Sequence, residues 1–391
     1  MKRIKCSTAR AASRGICRKS KNFFMRILVF ICVAALVIGC RSPSHRAALK
    51  TRNVFLITTD GLRWQEVFGG ADEALLDDKN ATANPERMKQ LYFKPTVEER
   101  RKYLLPYFWT EFAVHGQVYG NRLKGSESHV TNGKNFSYPG YNELLTGAPD
   151  PRIDSNNRIP NPNTNVFEWL NARPRQRGKV AAVVNWNVIP WILNTPRNQL
   201  PVWSGYAVPP GAPVVEVPEI LDEVSMDMTP VFSSIIFDSF THHVALDYLE
   251  KKHPRAFYVA FGETDEWAHE GRYDRYLITA RRVDFFIHDL WETCQSLPQY
   301  RDKTTFIITT DHGRGSGPEW KDHGEKIAGS ENTWVAIIGP DTPPLGERTN
   351  CAPVTASQIA ATIAAFLGED YRAAFPQAAA PIPDAIKPAR I

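Results

Sequence analysis

Short apolar runs recur along the chain, separated by segments of mixed polarity. They cover residues 53–59, 180–184, 256–261, 306–310 and 333–339. Each run is rich in Val, Ile, Phe or Ala, a composition typical of strands that are buried on both faces. The pattern therefore predicts a sheet whose strands are covered by other layers of structure.

Between these runs, apolar residues recur at the spacing of amphipathic helices. Helices are predicted near residues 95–107, directly after Ser137, and over residues 233–252, 273–295 and 355–367. Strands that alternate with helices favour an α/β fold of three layers, with a mostly parallel central sheet and helices on both faces. Residues 195–231 carry many prolines and little periodicity, which predicts a long loop that forms a lid or cap insertion.

Charge is distributed unevenly between the start of the chain and the rest. The first 39 residues hold nine Lys or Arg and no acidic residue. Removing these nine from the 47 basic residues leaves 38 against 42 Asp and Glu, a formal net charge of −4. Because the remaining chain also lacks a basic stripe, we expect no nucleic-acid binding.

The first 40 residues have the layout of an export signal. Residues 2–26 are basic, residues 27–39 are apolar, and Cys40 follows. Thirteen apolar residues suit a secretory signal, whereas a membrane span needs about 20. Val37–Cys40 resembles the bacterial lipobox, which implies lipidation at Cys40 and a protein anchored to the membrane in the bacterial periplasm or at the cell surface. An uncleaved signal anchor is the alternative.

The predicted domain organisation follows from this layout. Residues 1–40 form a lipoprotein signal peptide, residues 41–52 a tether, residues 53–370 the catalytic domain and residues 371–391 a C-terminal tail. Beyond the leader and Cys40, Cys294 and Cys351 are the only cysteines in the sequence. An exported protein could join them in a disulfide, or they could remain two separate thiols.

Residues with metal-binding side chains stand at the ends of the apolar runs. Asp60 closes the first run, and Asp311 and His312 close the run at 306–310. Chemistry in an open α/β sheet gathers outside the carboxyl ends of its strands, so these side chains are expected to meet. Asp265 and His269 follow the run at 256–261, and their spacing places both on one face of a helical turn. Each motif alone also fits surface or capping residues.

Ser137 begins a second landmark, with Pro139 just inside the predicted helix and Gly147 just past its end. It is therefore expected close to the positive end of a short helix. Considered without the other motifs, Ser137 is better explained as the N-cap of this helix.

Taken together and in order, these motifs resemble those of the alkaline phosphatase superfamily, closest to its type I phosphodiesterase/nucleotide pyrophosphatase branch. The resemblance covers about residues 53–368. It implies an alkaline phosphatase-like fold and two zinc ions as cofactors, although manganese and iron accept similar ligands. The implied metal ligands are Asp60, Ser137, Asp265, His269, Asp311, His312 and His323.

The resemblance also assigns roles to individual residues. Asp265, His269 and His323 would hold one ion, and the remaining ligands the other. Ser137 would attack phosphorus and form a phospho-serine intermediate. Asn157 would donate to the phosphate oxygens, although Asn156 and Asn161 lie in the same region.

Several cations stand close to these motifs in the sequence and would be available to contact a substrate. They are Arg63, Lys134, Arg314 and Lys321.

The expected function is hydrolysis of a small phosphate ester, either a diester or a monoester. A sulfatase is disfavoured, because the sulfatase motif has Arg where this sequence has Tyr141. Two alternatives on the same fold are a phosphomutase and a non-catalytic binding lipoprotein.

Overall fold

The computed structural model describes residues 49–206 and 208–387. The predicted signal peptide, Cys40 and most of the predicted tether lie outside these residues. Among the described residues, no helix is both long and apolar enough to span a membrane.

Eight strands of the described chain form one central sheet in the order β5-β4-β6-β1-β7-β8-β2-β9, and a further two strands pair separately as β10-β3. The strands are β1 (Asn53–Thr59), β2 (Gln117–Tyr119), β3 (Ser128–His129), β4 (Val180–Val184), β5 (Val202–Trp203), β6 (Ala256–Phe261), β7 (Thr304–Thr309), β8 (Val335–Ile338), β9 (Gly346–Glu347) and β10 (Val354–Thr355). Strands β5, β4, β6, β1 and β7 run parallel, whereas β8 is antiparallel to both β7 and β2. The predicted mostly parallel sheet is confirmed.

Helices cover both faces of this sheet. They are α1 (Trp64–Gly69), α2 (Glu73–Asp77), α3 (Pro85–Tyr92), α4 (Val97–Leu104), α5 (Ala113–His115), α6 (Ser137–Thr146), α7 (Val166–Asn171), α8 (Ile189–Ile192), α9 (Thr195–Asn198), α10 (Glu219–Asp227), α11 (Asp238–Lys252), α12 (Glu263–His269), α13 (Tyr273–Ser296), α14 (Ile359–Phe366) and α15 (Tyr371–Ala374). A π-helical turn at Phe108–Phe112 and 3-10 turns at Arg122–Lys124, Gly317–Lys321 and Ala356–Gln358 complete the set.

Alternation along β1 separates two hydrophobic cores. Phe55 and Ile57 pack into one core with residues of α11 and α13. Val54 and Leu56 pack into the other with residues of α6, α7 and α14. Since side chains of a strand point alternately to the two faces, a strand buried on both faces reads as a continuous apolar run. The three-layer prediction is confirmed.

The structure differs from the sequence-based prediction in three local places. The proline-rich segment contains α10, which begins directly after Pro218 and was hidden by the prolines on either side of it. The helix predicted from residue 233 begins at Asp238, because Ile236 is still held in extended backbone by a hydrogen bond to the Asn185 carbonyl. Ser137 lies within the first turn of α6 rather than before it, and Phe136 takes the cap position.

The residues that flank the predicted catalytic domain are fixed to it where they are described. The Thr51 amide donates to the Asp341 carboxylate, and Ala378, Ile382 and Ala385 of the C-terminal segment are buried. Cys294 and Cys351 are separate thiols that pack against opposite cores.

Candidate metal centre

Three neighbouring strands deliver the predicted ligands to one edge of the sheet. Strand β1 lies between β6 and β7, with Thr59 beside Phe261 and Thr58 beside Thr309. The chain segments that follow these strands therefore start side by side. They carry Asp60 after β1, helix α12 after β6, and Asp311 with His312 after β7.

The inner cluster consists of Asp60, Asp311 and His312. Their exposed fractions are 5%, 0% and 0%, so the three side chains are shielded from water. The His312 Nε2 atom lies 3.3 Å from Asp60 Oδ1 and 3.5 Å from Asp311 Oδ2. These two carboxylate oxygens have no hydrogen-bond partner among the described residues.

Burial raises the pKa of both inner carboxyl groups well above the ordinary value for aspartate. Repulsion from Asp265 adds to the effect at Asp60, and repulsion from Asp60 adds to it at Asp311. Two buried carboxylates facing one another are costly unless a cation neutralises them. The orphaned oxygens therefore fit a bound metal ion.

The orientation of His312 supports the same assignment. Its Nδ1 atom lies 2.9 Å from the Gly313 carbonyl oxygen, and because a carbonyl can only accept, Nδ1 must donate. The neutral ring then turns the lone pair of Nε2 toward the carboxylates. A metal-binding histidine is commonly fixed in this way through its other nitrogen.

The outer cluster consists of Asp265, His269 and His323. Helix α12 places Asp265 and His269 on one face, with His269 Nε2 at 3.2 Å from Asp265 Oδ2. The Nε2 atoms of His269 and His323 are 2.9 Å apart. Burial lowers the pKa of His323 to about 2, an effect that neighbouring His312 reinforces, so the ring is neutral and able to bind a metal.

The two clusters touch through stacked imidazole rings. The ring centroids of His312 and His323 are 4.1 Å apart, and His312 Nε2 lies 3.7 Å from Asp265 Oδ1. Ligand atoms of Asp265, His312 and His323 lie within 4.8 Å of one another, as do those of Asp60, Asp311 and His312. The structure therefore brings all six predicted acid and imidazole ligands into two adjoining groups.

Ser137 lies beside the inner cluster. Its Oγ atom is 3.4 Å from His312 Nε2, and the residue is 4% exposed. A Cβ atom at Gly140 would meet the Asp311 carbonyl oxygen at 2.3 Å, so only glycine permits this close approach of α6. Helix α6 therefore presents its first turn, the end with partial positive charge, to the cluster.

Tyr141 is a site residue whose contact the sequence did not reveal. Its hydroxyl donates to Asp60 Oδ2 at 3.0 Å, which leaves Asp60 Oδ1 as the oxygen without a partner. The sequence showed Tyr141 only as a departure from the sulfatase motif. Its position four residues after Ser137, and hence on the same helix face, is the signal that could have indicated this role.

The asparagines after α6 occupy different environments. Asn156 Oδ1 accepts from the Tyr138 amide at 2.9 Å and so contacts the first turn of α6. Asn161 is fully buried and donates to Asn142. Asn157 is exposed. The phosphate-binding role of Asn157 stays a prediction, and Asn156 stands in the adjacent position.

The cations near the motifs are largely engaged within the protein. Arg63 and Arg314 are each 1% exposed and pair with Glu66 and Asp265. Lys134 lies 3.2 Å from Glu325 in a partly exposed ion pair. The two arginines are therefore held inside the protein by these carboxylates and do not face a substrate.

The segment directly after the predicted lid packs against the helix of the outer cluster. Ser234 donates to Glu266 at 2.9 Å, and the rings of Phe232 and Trp267 meet edge to face at 4.9 Å. Trp186 and Trp203 are largely buried and belong to the cores. The chain that leaves the predicted insertion thus contacts helix α12, which carries Asp265 and His269.

No family model and no curated protein matches the chain. Among solved structures, a 2-O GAG sulfatase is similar, with a TM-score of 0.50 and 13% identity over 86% of this chain and 72% of the sulfatase. An alkaline phosphatase superfamily protein from Vibrio parahaemolyticus has a TM-score of 0.44 and 13% identity, covering 90% and 76%. Murine ectonucleotide pyrophosphatase/phosphodiesterase 5 has a TM-score of 0.47 and 12% identity, covering 82% and 96%. At these identities the likeness concerns the fold alone.

Proposed function

We propose that this chain, which has the fold of the alkaline phosphatase superfamily, is a metal-dependent hydrolase of phosphate esters, either diesters or monoesters. One observation carries the proposal: two buried, unpartnered carboxylate oxygens converge with the Nε2 atom of His312 beside the Ser137 hydroxyl. A nucleophile placed next to a cation-binding group is the arrangement that phosphoryl transfer requires.

The donor set fits two divalent cations. Asp60, Asp311 and His312, with the Ser137 oxygen, would hold one ion, and the outer cluster would hold the other. Carboxylate and imidazole ligands suit zinc, and manganese or iron accepts similar sets. When bound, such ions would stabilise negative charge on the phosphate oxygens and favour the alkoxide form of a nearby hydroxyl.

Ser137 would be the nucleophile of a two-step reaction. Its oxygen would form a bond to phosphorus as the bond to the leaving alcohol breaks, and water would later cleave the phospho-serine. The first turn of α6 would favour the negatively charged oxygen, since the amino end of a helix carries a partial positive charge. Tyr141 would keep Asp60 oriented through its hydrogen bond.

The test uses the full chain, reconstituted with zinc or manganese. We expect hydrolysis of nitrophenyl phosphate or bis-nitrophenyl phosphate, loss of activity after chelation, and recovery when metal is returned. Nitrophenyl sulfate serves as the comparison substrate, because Tyr141 stands where the sulfatase motif has arginine. Faster turnover of the sulfate ester, or metal binding with no hydrolysis of either phosphate, would contradict the proposal.

We also propose that the protein is exported and anchored to the membrane by a lipid on Cys40. The described chain enters the fold near Thr51, at the amino end of β1, whereas the candidate site lies at the opposite, carboxyl edge of the sheet. A tether at this position would attach the protein at the edge of the sheet opposite the site, so the site would remain accessible. Incorporation of labelled fatty acid should be lost in Cys40→Ser, and unchanged incorporation would contradict this assignment.

A further inference from the structure

Arg314 occupies an unusual place for a permanent positive charge. Its guanidinium is 1% exposed and lies within the candidate metal centre. One terminal nitrogen, Nη2, donates to Asp265 Oδ1 and, at 3.1 Å, to the Asp265 carbonyl oxygen. The other, Nη1, donates to the Lys321 carbonyl, two residues before His323. Arg314 therefore joins the two chain segments that supply the outer cluster.

The surrounding backbone leaves the guanidinium little room to move. Gly61 has a left-handed backbone with φ 58°, and a Cβ atom there would lie 2.7 Å from Asp265 Oδ1 and 2.8 Å from Arg314 Nε. Glycine thus lets the segment after β1 pack directly onto the Arg314–Asp265 pair. The close fit holds the arginine beside the outer carboxylate.

This placement makes the charges of the two clusters unequal. The inner cluster has the carboxylates of Asp60 and Asp311 and no arginine paired with either. In the outer cluster, the single carboxylate of Asp265 is offset by Arg314, and the two other ligands are imidazoles. A like charge at close range weakens cation binding most where water is excluded.

We propose that Arg314 is a positioning residue that orients Asp265 and, as a built-in counter-charge, makes the outer cation site weaker than the inner one. The inference depends on the proposed metal centre. The inner site holds its ion tightly, and the outer site exchanges its ion with solution. Arg314 leaves Asp265 Oδ2 directed toward His269 and uses Oδ1 itself.

The test is calorimetric titration of the metal-free full chain with Zn²⁺ alone, so that the readout is binding rather than turnover. The wild-type protein should bind two ions in two resolved steps. Arg314→Gln removes the charge and should tighten the weaker step by about tenfold or more, and the tighter step by much less, because Arg314 pairs directly with Asp265 and acts on Asp60 only without contact. Arg314→Lys retains a positive charge and should keep the weaker step weak.

A matched control is Lys321→Gln, which removes a cation from the same loop. Lys321 is exposed, so solvent and salt screen its charge and neither binding step should change. Circular dichroism and thermal melts establish that each variant is folded.

Three results would overturn the inference. They are two equal steps in the wild-type protein, a weaker step that does not tighten in Arg314→Gln, and a weaker step that tightens equally in Arg314→Lys. If Arg314→Gln does not fold, equal steps in the wild-type titration would still overturn the inference. Absence of any bound ion would instead contradict the proposed metal centre itself.

Discussion

The inner and outer clusters of the centre are built from the same ligand types but supported differently. Asp60 and Asp311 follow adjacent parallel strands, and no inner side chain is more than 7% exposed. The outer ligands come from a seven-residue helix and a loop, and the His269 side chain is 43% exposed. Ligands at the ends of central strands inherit the rigidity of the sheet, whereas the outer ligands depend on local contacts such as that of Arg314.

The largest expected effect concerns the nucleophile beside the inner cluster. Ser137→Ala should lower turnover by about a thousandfold or more, because no other hydroxyl replaces the attacking oxygen. Metal content and the thermal melting curve should stay close to those of the wild-type protein. Steady-state rates and metal analysis of the same preparation measure both. Near-normal turnover would remove Ser137 from the mechanism.

Substituting one ligand in each cluster directly compares how tightly the two clusters hold their ions. His269→Gln should reduce bound metal from about two ions per chain to about one, with the tightly held ion retained. Asp311→Asn should remove the tight ion, since this carboxylate is fully buried and has an orphaned oxygen. Metal analysis after dialysis distinguishes the variants. Equal metal loss in both would contradict the distinction between the clusters.

The buried ion pair of Arg63 and Glu66 tests whether the sheet-supported segments stabilise the inner cluster. Arg63 donates to both Glu66 oxygens and to the Gly315 carbonyl, so it links the segments that follow β1 and β7. Glu66→Gln leaves the buried guanidinium without a counter-charge and should lower the free energy of unfolding by about 3 kcal/mol.

Denaturant unfolding of the metal-free protein measures this loss. Tyr273→Phe is the milder control, since it removes the hydroxyl that donates to Glu66 and accepts from the Asp72 amide but leaves the ion pair intact. The tight zinc-binding step should weaken in Glu66→Gln more than the weak step. A stability change no larger than that of the control would contradict the assigned support.

The smallest expected effect concerns His242, a histidine outside both clusters, whose substitution should change the loss of stability at acid pH. Burial lowers the pKa of His242 to about 4, against attraction from Asp289 at 3.0 Å. The unfolded chain binds this proton more tightly, so stability present above about pH 6.5 is lost as the pH falls toward about 4. Between neutral pH and about pH 5, His242→Gln should reduce that loss by about 2 kcal/mol. Melts of both metal-free proteins at neutral and acid pH measure it, and identical pH profiles would refute the assignment.

The strand ends of the site could be predicted from sequence because a buried strand leaves a continuous apolar run. Asp60 and Asp311 were therefore placed together although 251 positions separate them. The sequence equally shows the helical spacing of Asp265 and His269 and the glycine at which α6 ends. Each of these features is local in sequence, and the parallel sheet brings the residues that carry them together at one edge.

Other features depend on distances that no local pattern records. The bond from Tyr141 to Asp60 joins residues 81 positions apart and exists because α6 approaches the end of β1. The sequence offers Arg314 as a cation that could contact a substrate, and only its packing against Gly61 reveals that it is buried. The sequence does not reveal helix α10 because the prolines on either side of it favour a loop.

Anomalous diffraction from crystals grown with zinc tests the central claim most directly. The account predicts two peaks about 4 Å apart beside the Ser137 hydroxyl, one bound by Asp60, Asp311 and His312 and the other by Asp265, His269 and His323. Crystals of a folded, zinc-soaked protein with no peak at these side chains, or with peaks only elsewhere, would contradict it.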